Sequence, residues 1–285
     1  MADAALYTFP SDNVAPDATV TIETGTDPGD DNYGPEVLVD LNPAKMAKIL
    51  STTAAWLFDF GSAQRIDIAA FIHGTFETTS TLRLQGNATD SWGAPSFDAE
   101  IDVLPWFGTG TTRWPQNHWL DLTEHEDYSA AGFRYWRVIC SGNSQNVWLG
   151  QVVFSPTIRR MDPDLRWEYV PSLRKRSIVN ETAYGSKTIY ARGTTQFYLE
   201  GDHRMTEALF RTKEAHFYDA DGIGLPWLLV PSEPEPEGSP SWVEHGRIYF
   251  VRLVEDRFGG PHVYFNVRDR KFAVEELSRG LRPGT

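Results

Sequence analysis

Cysteine occurs once in 285 residues, at Cys140, which excludes an intramolecular disulfide and any zinc site built from several thiolates. The fold must stand on its apolar core. Long hydrophobic runs are missing as well. The most apolar late stretch, Gly222 to Val230, falls far short of the roughly 20 residues of a membrane-spanning helix. Met1–Ala5 has neither the basic start nor the apolar run of a signal peptide, so the expectation is a soluble, cytoplasmically made protein without membrane insertion. An excess of positive charge is lacking too. Lys and Arg number 26 against 39 Asp and Glu, for a net charge of −13. Met1 to Ile158 holds 7 basic and 20 acidic residues and so carries all of it, whereas Arg159 to Thr285 balances 19 with 19. An acidic half repels phosphate, and the balanced half offers no basic patch, so nucleic acid is excluded as a ligand.

Catalytic spacings are absent. The chain contains no His-Glu-x-x-His, no Gly-x-Ser-x-Gly, no phosphate-binding loop and no Gly-x-Gly-x-x-Gly after a strand. The expectation is therefore a non-enzyme with no catalytic residues and no cofactor. A glycosidase needs two carboxylates at a set separation in space, which sequence does not specify.

What is abundant is aromatic: 10 Trp, 11 Tyr and 16 Phe, with 23 Gly and 18 Pro to make turns. That composition suits many short strands, and the fold class expected is mainly β. Short apolar pieces at Val20–Ile22 and Val37–Val39 flank the turn-rich cluster Thr26–Gly34. Asn42-Pro43 ahead of Ala44–Leu50 reads as the cap and first turn of a short helix. Strands are expected at Ala55–Phe60, Ile66–Ile72, Thr81–Gln85, His118–Leu122, Tyr135–Ile139 and Val147–Phe154. Regular spacing of this kind means a β-sandwich.

Three blocks in order carry a resemblance. They are Trp56-Leu57-Phe58-Asp59-Phe60-Gly61 with Arg65-Ile66-Asp67-Ile68, then Leu82 to Trp92, then Phe133-Arg134-Tyr135-Trp136-Arg137-Val138 running to Trp148-Leu149-Gly150-Gln151-Val152. This order resembles the discoidin-type, galactose-binding-like jelly roll. The resemblance implies a first domain over residues 1–158, without the cysteine pair that flanks its extracellular members. Pro156 to Pro171 reads as a connector, because X-Pro steps favour extended backbone. Residues 159–285 read as a second, α+β and mostly β, domain. Its strands are expected at Thr194–Glu200, Leu225–Pro231, Gly246–Leu253, Val263–Val267 and Phe272–Leu277. One packed helix is expected over His203–Ala215 behind Asp202. The order strand, helix, Gly224-Leu225-Pro226-Trp227-Leu228-Leu229-Val230-Pro231, acidic loop, His245-Gly246-Arg247-Ile248-Tyr249-Phe250 is similar to bacteriophage tail-tip and distal tail ring proteins. That resemblance implies a structural component of a virion tail or baseplate, made in the host cytoplasm. Its implied partners are a homo-oligomeric ring, neighbouring tail proteins and host-surface carbohydrate. Arg far outnumbers Lys175, Lys187, Lys213 and Lys271 in the second half, and Arg is favoured at interfaces. The rival reading is a carbohydrate-active enzyme or its accessory binding module.

Sugar recognition needs flat aromatic faces with a few polar groups that fix hydroxyls. The residues expected to supply them are Trp92 with Asp90, and Trp106, Trp114 and Trp119. Trp106 and Trp114, flanked by Gly, Thr and Pro, fit loop packing, a subunit interface or a glycan platform equally. Trp56, Trp136 and Trp148 lie within strands and are expected in the core. His118 with Glu124, His125, Glu126 and Asp127 matches no metal-ligand spacing and reads as a solvated turn. Asp27, Asp30, Asp31 and Asn32 offer oxygens of the kind calcium takes, and galactose-binding-like domains sometimes hold a structural calcium. Their spacing departs from the EF-hand loop, and the plain alternative is an Asx-rich turn.

Overall fold

Alternation of buried and half-buried residues organises the first half. In Phe133–Ser141 the residues Trp136, Val138 and Cys140 point inward, while Tyr135, Arg137 and Ile139 take the other face. The computed structural model describes residues 6–8, 12–40, 42, 45–77, 79–101, 103, 116–160, 170–181, 187–206, 227–230, 249–253, 262–264 and 267–276. The chain divides into two compact units. One is Ser11–Arg159 with Pro234–Ile248, and the other is Met1–Pro10, Arg160–Glu233 and Tyr249–Thr285.

The strands, in chain order, begin with β1 (Leu6–Thr8), which pairs within the second unit. In the first unit follow β2 (Thr19–Thr24), β3 (Ala47–Ile49), β4 (Ala54–Gln64), β5 (Ile68–Gly74) and β6 (Thr81–Asn87). β7 (Phe97–Ile101), β8 (Gln116–Asp121), β9 (Phe133–Ser141), β10 (Val147–Leu149) and β11 (Gln151–Ser155) complete it. They form a five-stranded sheet ordered β2-β4-β9-β6-β7, a three-stranded sheet β11-β5-β8, and a two-stranded pair β10-β3. All pairings are antiparallel.

The core lies between the two larger sheets. Trp56, Phe58, Trp136, Leu84 and Phe97 from one sheet meet Phe71, Val152 and Phe154 from the other. Phe154 stands 5.1 Å from Phe58 and 6.2 Å from Trp136, ring centre to ring centre, which ties the layers together. Each such ring contributes about 1.5–3 kcal/mol by leaving water. Trp56 and Trp136 are buried as expected, while Trp148 is only half-buried, against Tyr33 and Lys48.

Several local expectations fail for identifiable reasons. The helix expected over Ala44–Leu50 is instead β3 at Ala47–Ile49, because Ala47 and Ile49 are buried alternately and pair with Leu149 and Val147. A segment that short gains too little to offset helix nucleation. The short apolar piece Val37–Val39 is part of a 3-10 turn, Pro35–Val39, begun by a proline. The single strand expected over Val147–Phe154 is two strands in different sheets. They break at Gly150, whose N–H donates to the Ile72 carbonyl at 3.0 Å, and a Cβ there would stand 2.9 Å from that oxygen.

Cys140 illustrates how dry this core is. Burial pushes its thiol up to about 12 from an ordinary 9.0, and the Glu77 charge adds to the rise. The folded state therefore holds the proton that the unfolded chain releases first. Stability contributed by Cys140 is complete below pH 9 and declines as pH climbs toward 12. The native chain should resist thiol-exchange dyes at pH 8 and react once urea unfolds it. Rapid labelling of the native chain would contradict this burial.

The second unit holds β1 and β12 (Arg159–Arg160), β13 (Val170–Glu181), β14 (Lys187–Thr206), β15 (Trp227–Val230), β16 (Tyr249–Leu253), β17 (His262–Tyr264) and β18 (Val267–Glu276). The sheet order is β12-β1-β15-β16-β18-β14-β13, with β17 also paired to β18. The helix expected from His203 does not begin there. His203 and Met205 lie in β14 opposite Arg270 and Arg268, since ladder pairing with β18 overrides the helical spacing. Residues 207–215 lie outside the described residues. Both units are mainly β.

Candidate functional site

The outward face of the five-stranded sheet gathers charged residues around one tryptophan. β9 runs between β4 and β6, and Arg137 lies opposite Leu57 on one side and Gln85 on the other. On the edge strand β2 the register with β4 slips between Ile22 and Thr24, which leaves Glu23 as the extra residue of a bulge. Bulges re-aim side chains. Here the Glu23 carboxylate, 29% exposed, sits 2.6 Å from the Nε of Arg137, 18% exposed.

The loop after β6 brings in the ring. Buried Asn87 closes that loop, donating to the Ser91 carbonyl at 2.6 Å and accepting from Ala88 N–H at 2.9 Å and Ser96 Oγ at 3.0 Å. Trp92 Nε1 donates to Asp90 Oδ1 at 2.9 Å, and the Arg137 guanidinium lies 5.4 Å from the Trp92 ring centre. Burial pushes the Glu23 carboxyl up. Arg137 pulls it back, and the Asp90 charge adds to the rise.

Paired charges continue across this face. Arg83 makes two hydrogen bonds to Asp98 at 3.1 and 2.6 Å, and Gln85 joins at 3.1 Å. Arg134 grips Asp59 at 2.7 and 2.8 Å, and its hydrogen bonds hold the Asp59 carboxyl below the usual range. The result is a surface of paired charges with one half-buried indole and an exposed carboxylate at Asp90.

Of the residues picked out by sequence, Trp92 and Asp90 come together as a bonded pair. Trp119 lies in β8 opposite Ala70, in the three-stranded sheet, and so is not part of the Trp92 loop. Trp106 and Trp114 fall outside the described residues. Arg137 and Glu23 are members that sequence reasoning missed. Arg137 was legible as a polar alternate of a strand, but its partner depends on the β2 bulge.

The oxygen cluster resolves into local turns, whereas His118, expected in a solvated turn, is buried in β8 opposite Phe71. Asp27 accepts from Gly29 N–H at 2.8 Å, and Asp30 accepts from Asn32 N–H and Nδ2 at 2.9 and 2.8 Å, as Asx turns do. His118 stacks on Phe76 at 5.6 Å and His125 on Phe97 at 4.8 Å, so they serve different packing sites. Among the described residues, no group of three or more His, Cys, Asp or Glu is placed to hold a metal ion.

No family model matches the chain, and no curated protein matches it. Solved structures do resemble it. A fucose-binding module of Streptococcus pneumoniae is 14% identical, with a match covering 53% of this chain and 100% of the module at a TM-score of 0.36. Chitosan-binding module 1 from a chitosanase/glucanase of Paenibacillus sp. IK-5 is 13% identical over 50% of this chain and 97% of its own, at 0.34. CpGH89CBM32-5 from Clostridium perfringens, in complex with GalNAc-β-1,3-galactose, is 5% identical over 50% and 99%, at 0.36.

Proposed function

We propose that the chain is a non-catalytic structural protein of a bacteriophage tail tip or baseplate, and that its first unit contacts host-surface carbohydrate through Trp92. The observation that carries the carbohydrate half is the fixed indole: Asp90 holds its N–H, and Arg137, paired with Glu23, underlies its ring. A preset ring beside an exposed carboxylate meets a sugar without first paying the entropy of ordering.

The assembly half draws support from β13 and β14. β14 joins β18 only from Tyr198 onward, so among the described pairings Lys187–Phe197 is held by β13 alone, as a two-stranded ribbon. Val179 lies opposite Ile189, and Ile178 opposite Tyr190. A two-stranded ribbon is marginal in water by itself. Its Arg174, Lys175, Arg176, Lys187 and Arg192 complement the acidic first half of a second copy.

Two measurements on the full chain test this reading. A glycan array should return a defined set of sugars, and size-exclusion with light scattering should return a closed oligomer. An empty array overturns the carbohydrate half. A monomer that binds glycan overturns the assembly half and leaves an accessory binding module.

A further inference from the structure

Gln151, the first residue of β11, is completely buried, and its carboxamide nitrogen is surrounded by oxygens. Nε2 lies 2.9 Å from the Val37 carbonyl, 3.0 Å from Asp40 Oδ1 and 3.2 Å from the Asn42 carbonyl. An amide nitrogen has two hydrogens for these three acceptors, while Gln151 Oε1 is buried without a hydrogen-bond partner among the described residues. Two backbone carbonyls and a carboxylate converging on one point from residues 37, 40 and 42 form the kind of oxygen cradle that hard cations occupy.

Galactose-binding-like domains sometimes hold a structural calcium, for which Asp27, Asp30, Asp31 and Asn32 are the candidates by sequence, and the residues at this cradle do not fit one. The central point is filled by the amide nitrogen, and Asp40 is the one carboxylate bonded there. Its other oxygen is paired with Lys45 Nζ at 3.2 Å. Asp40 Oδ1 also accepts from Asn42 N–H at 2.8 Å, which closes the loop on itself. All three oxygens that would face a cation lie within 3.2 Å of the Gln151 amide nitrogen instead.

We propose that Gln151 is a built-in replacement for a cation: its amide occupies the centre of the Val37–Asn42 cradle, and Lys45 supplies the positive charge. The loop that packs Val37 and Leu38 into the core is thereby held without metal. The unpaired Oε1 marks the cost, because an amide turned to serve three oxygens leaves its own oxygen with no donor.

The test uses the full chain, wild type and Gln151→Glu, melted in chelator and in excess calcium and titrated with terbium by tryptophan-sensitised luminescence. The wild type should melt identically in both conditions and show no saturable luminescence. Gln151→Glu adds a second carboxylate to the cradle. It should bind terbium and gain about 5 °C in melting temperature with calcium a hundredfold above its dissociation constant. A wild type that binds terbium, or melts earlier in chelator, overturns the proposal, since Gln151 would then turn its oxygen toward a bound ion. A folded Gln151→Glu chain indifferent to both ions overturns it as well, since the oxygens would not form a cation-sized cradle. If Gln151→Glu folds only with calcium, the proposal stands. If it folds in neither condition, the wild-type titration decides by the same criterion.

Discussion

Trp136→Ala lowers the stability of the first unit by about 3–5 kcal/mol, the range for removing a large aromatic from a packed core. The indole is buried and touches rings from both sheets: Phe97 at 5.6 Å, Phe133 at 5.5 Å and Phe154 at 6.2 Å. Its Nε1 donates to the Phe133 carbonyl at 3.1 Å, so the substitution also orphans a buried acceptor. Opposite it, Gly86 leaves the space the ring fills, since a Cβ at Gly86 would stand 3.0 Å from Trp136. Urea titration followed by circular dichroism checks this, and an unchanged midpoint would contradict the sandwich core.

Gly132→Ala has the next largest effect, about 2–4 kcal/mol, and it separates conformational strain from collision. Gly132 has φ +70°, and an added Cβ would stand 2.1 Å from the Gln64 carbonyl oxygen and 2.4 Å from the Arg65 nitrogen. Those are backbone atoms at the end of β4 and cannot rotate away. Relief requires moving the chain that pairs Gln64 with Phe133. Gly61 has the same φ of +70° with nothing within 4 Å of an added Cβ. Gly61→Ala therefore bears only the left-handed penalty of about 1–2 kcal/mol. Equal melting of the two variants would show that the Gly132 contact relaxes freely.

The strands of the first unit were legible where apolar and polar residues alternate or where apolar runs end at turns, as in Thr81–Gln85 and Ala55–Phe60. Phe97–Ile101 also alternates, yet no strand was expected there, because a five-residue edge strand beside a turn-rich loop carries little signal. The break at Gly150 was not legible. A largely apolar run looks the same whether it stays in one sheet or crosses to another, and the approach of the Ile72 carbonyl at Gly150 distinguishes them. Helical spacing around His203 was misleading, because long-range pairing with β18 outweighs local periodicity. Within the candidate site, Trp92 and Asp90 are neighbours in sequence, so their association was readable. The Arg137–Glu23 pair joins distant strands through a one-residue bulge, which leaves no local trace. The Gln151 cradle was hidden for the same reason: its oxygens belong to a turn far upstream of β11.

The claim that Trp92 is the carbohydrate contact is tested most directly by calorimetric titration of an array-selected glycan into the full chain, comparing wild type with Trp92→Ala and Trp119→Ala. Loss of about 1.4 kcal/mol of ring contact corresponds to tenfold in affinity. The account predicts at least about that loss for Trp92→Ala, little change for Trp119→Ala, and an unaltered melting temperature for Trp92→Ala. Undiminished affinity in a folded Trp92→Ala chain would contradict it.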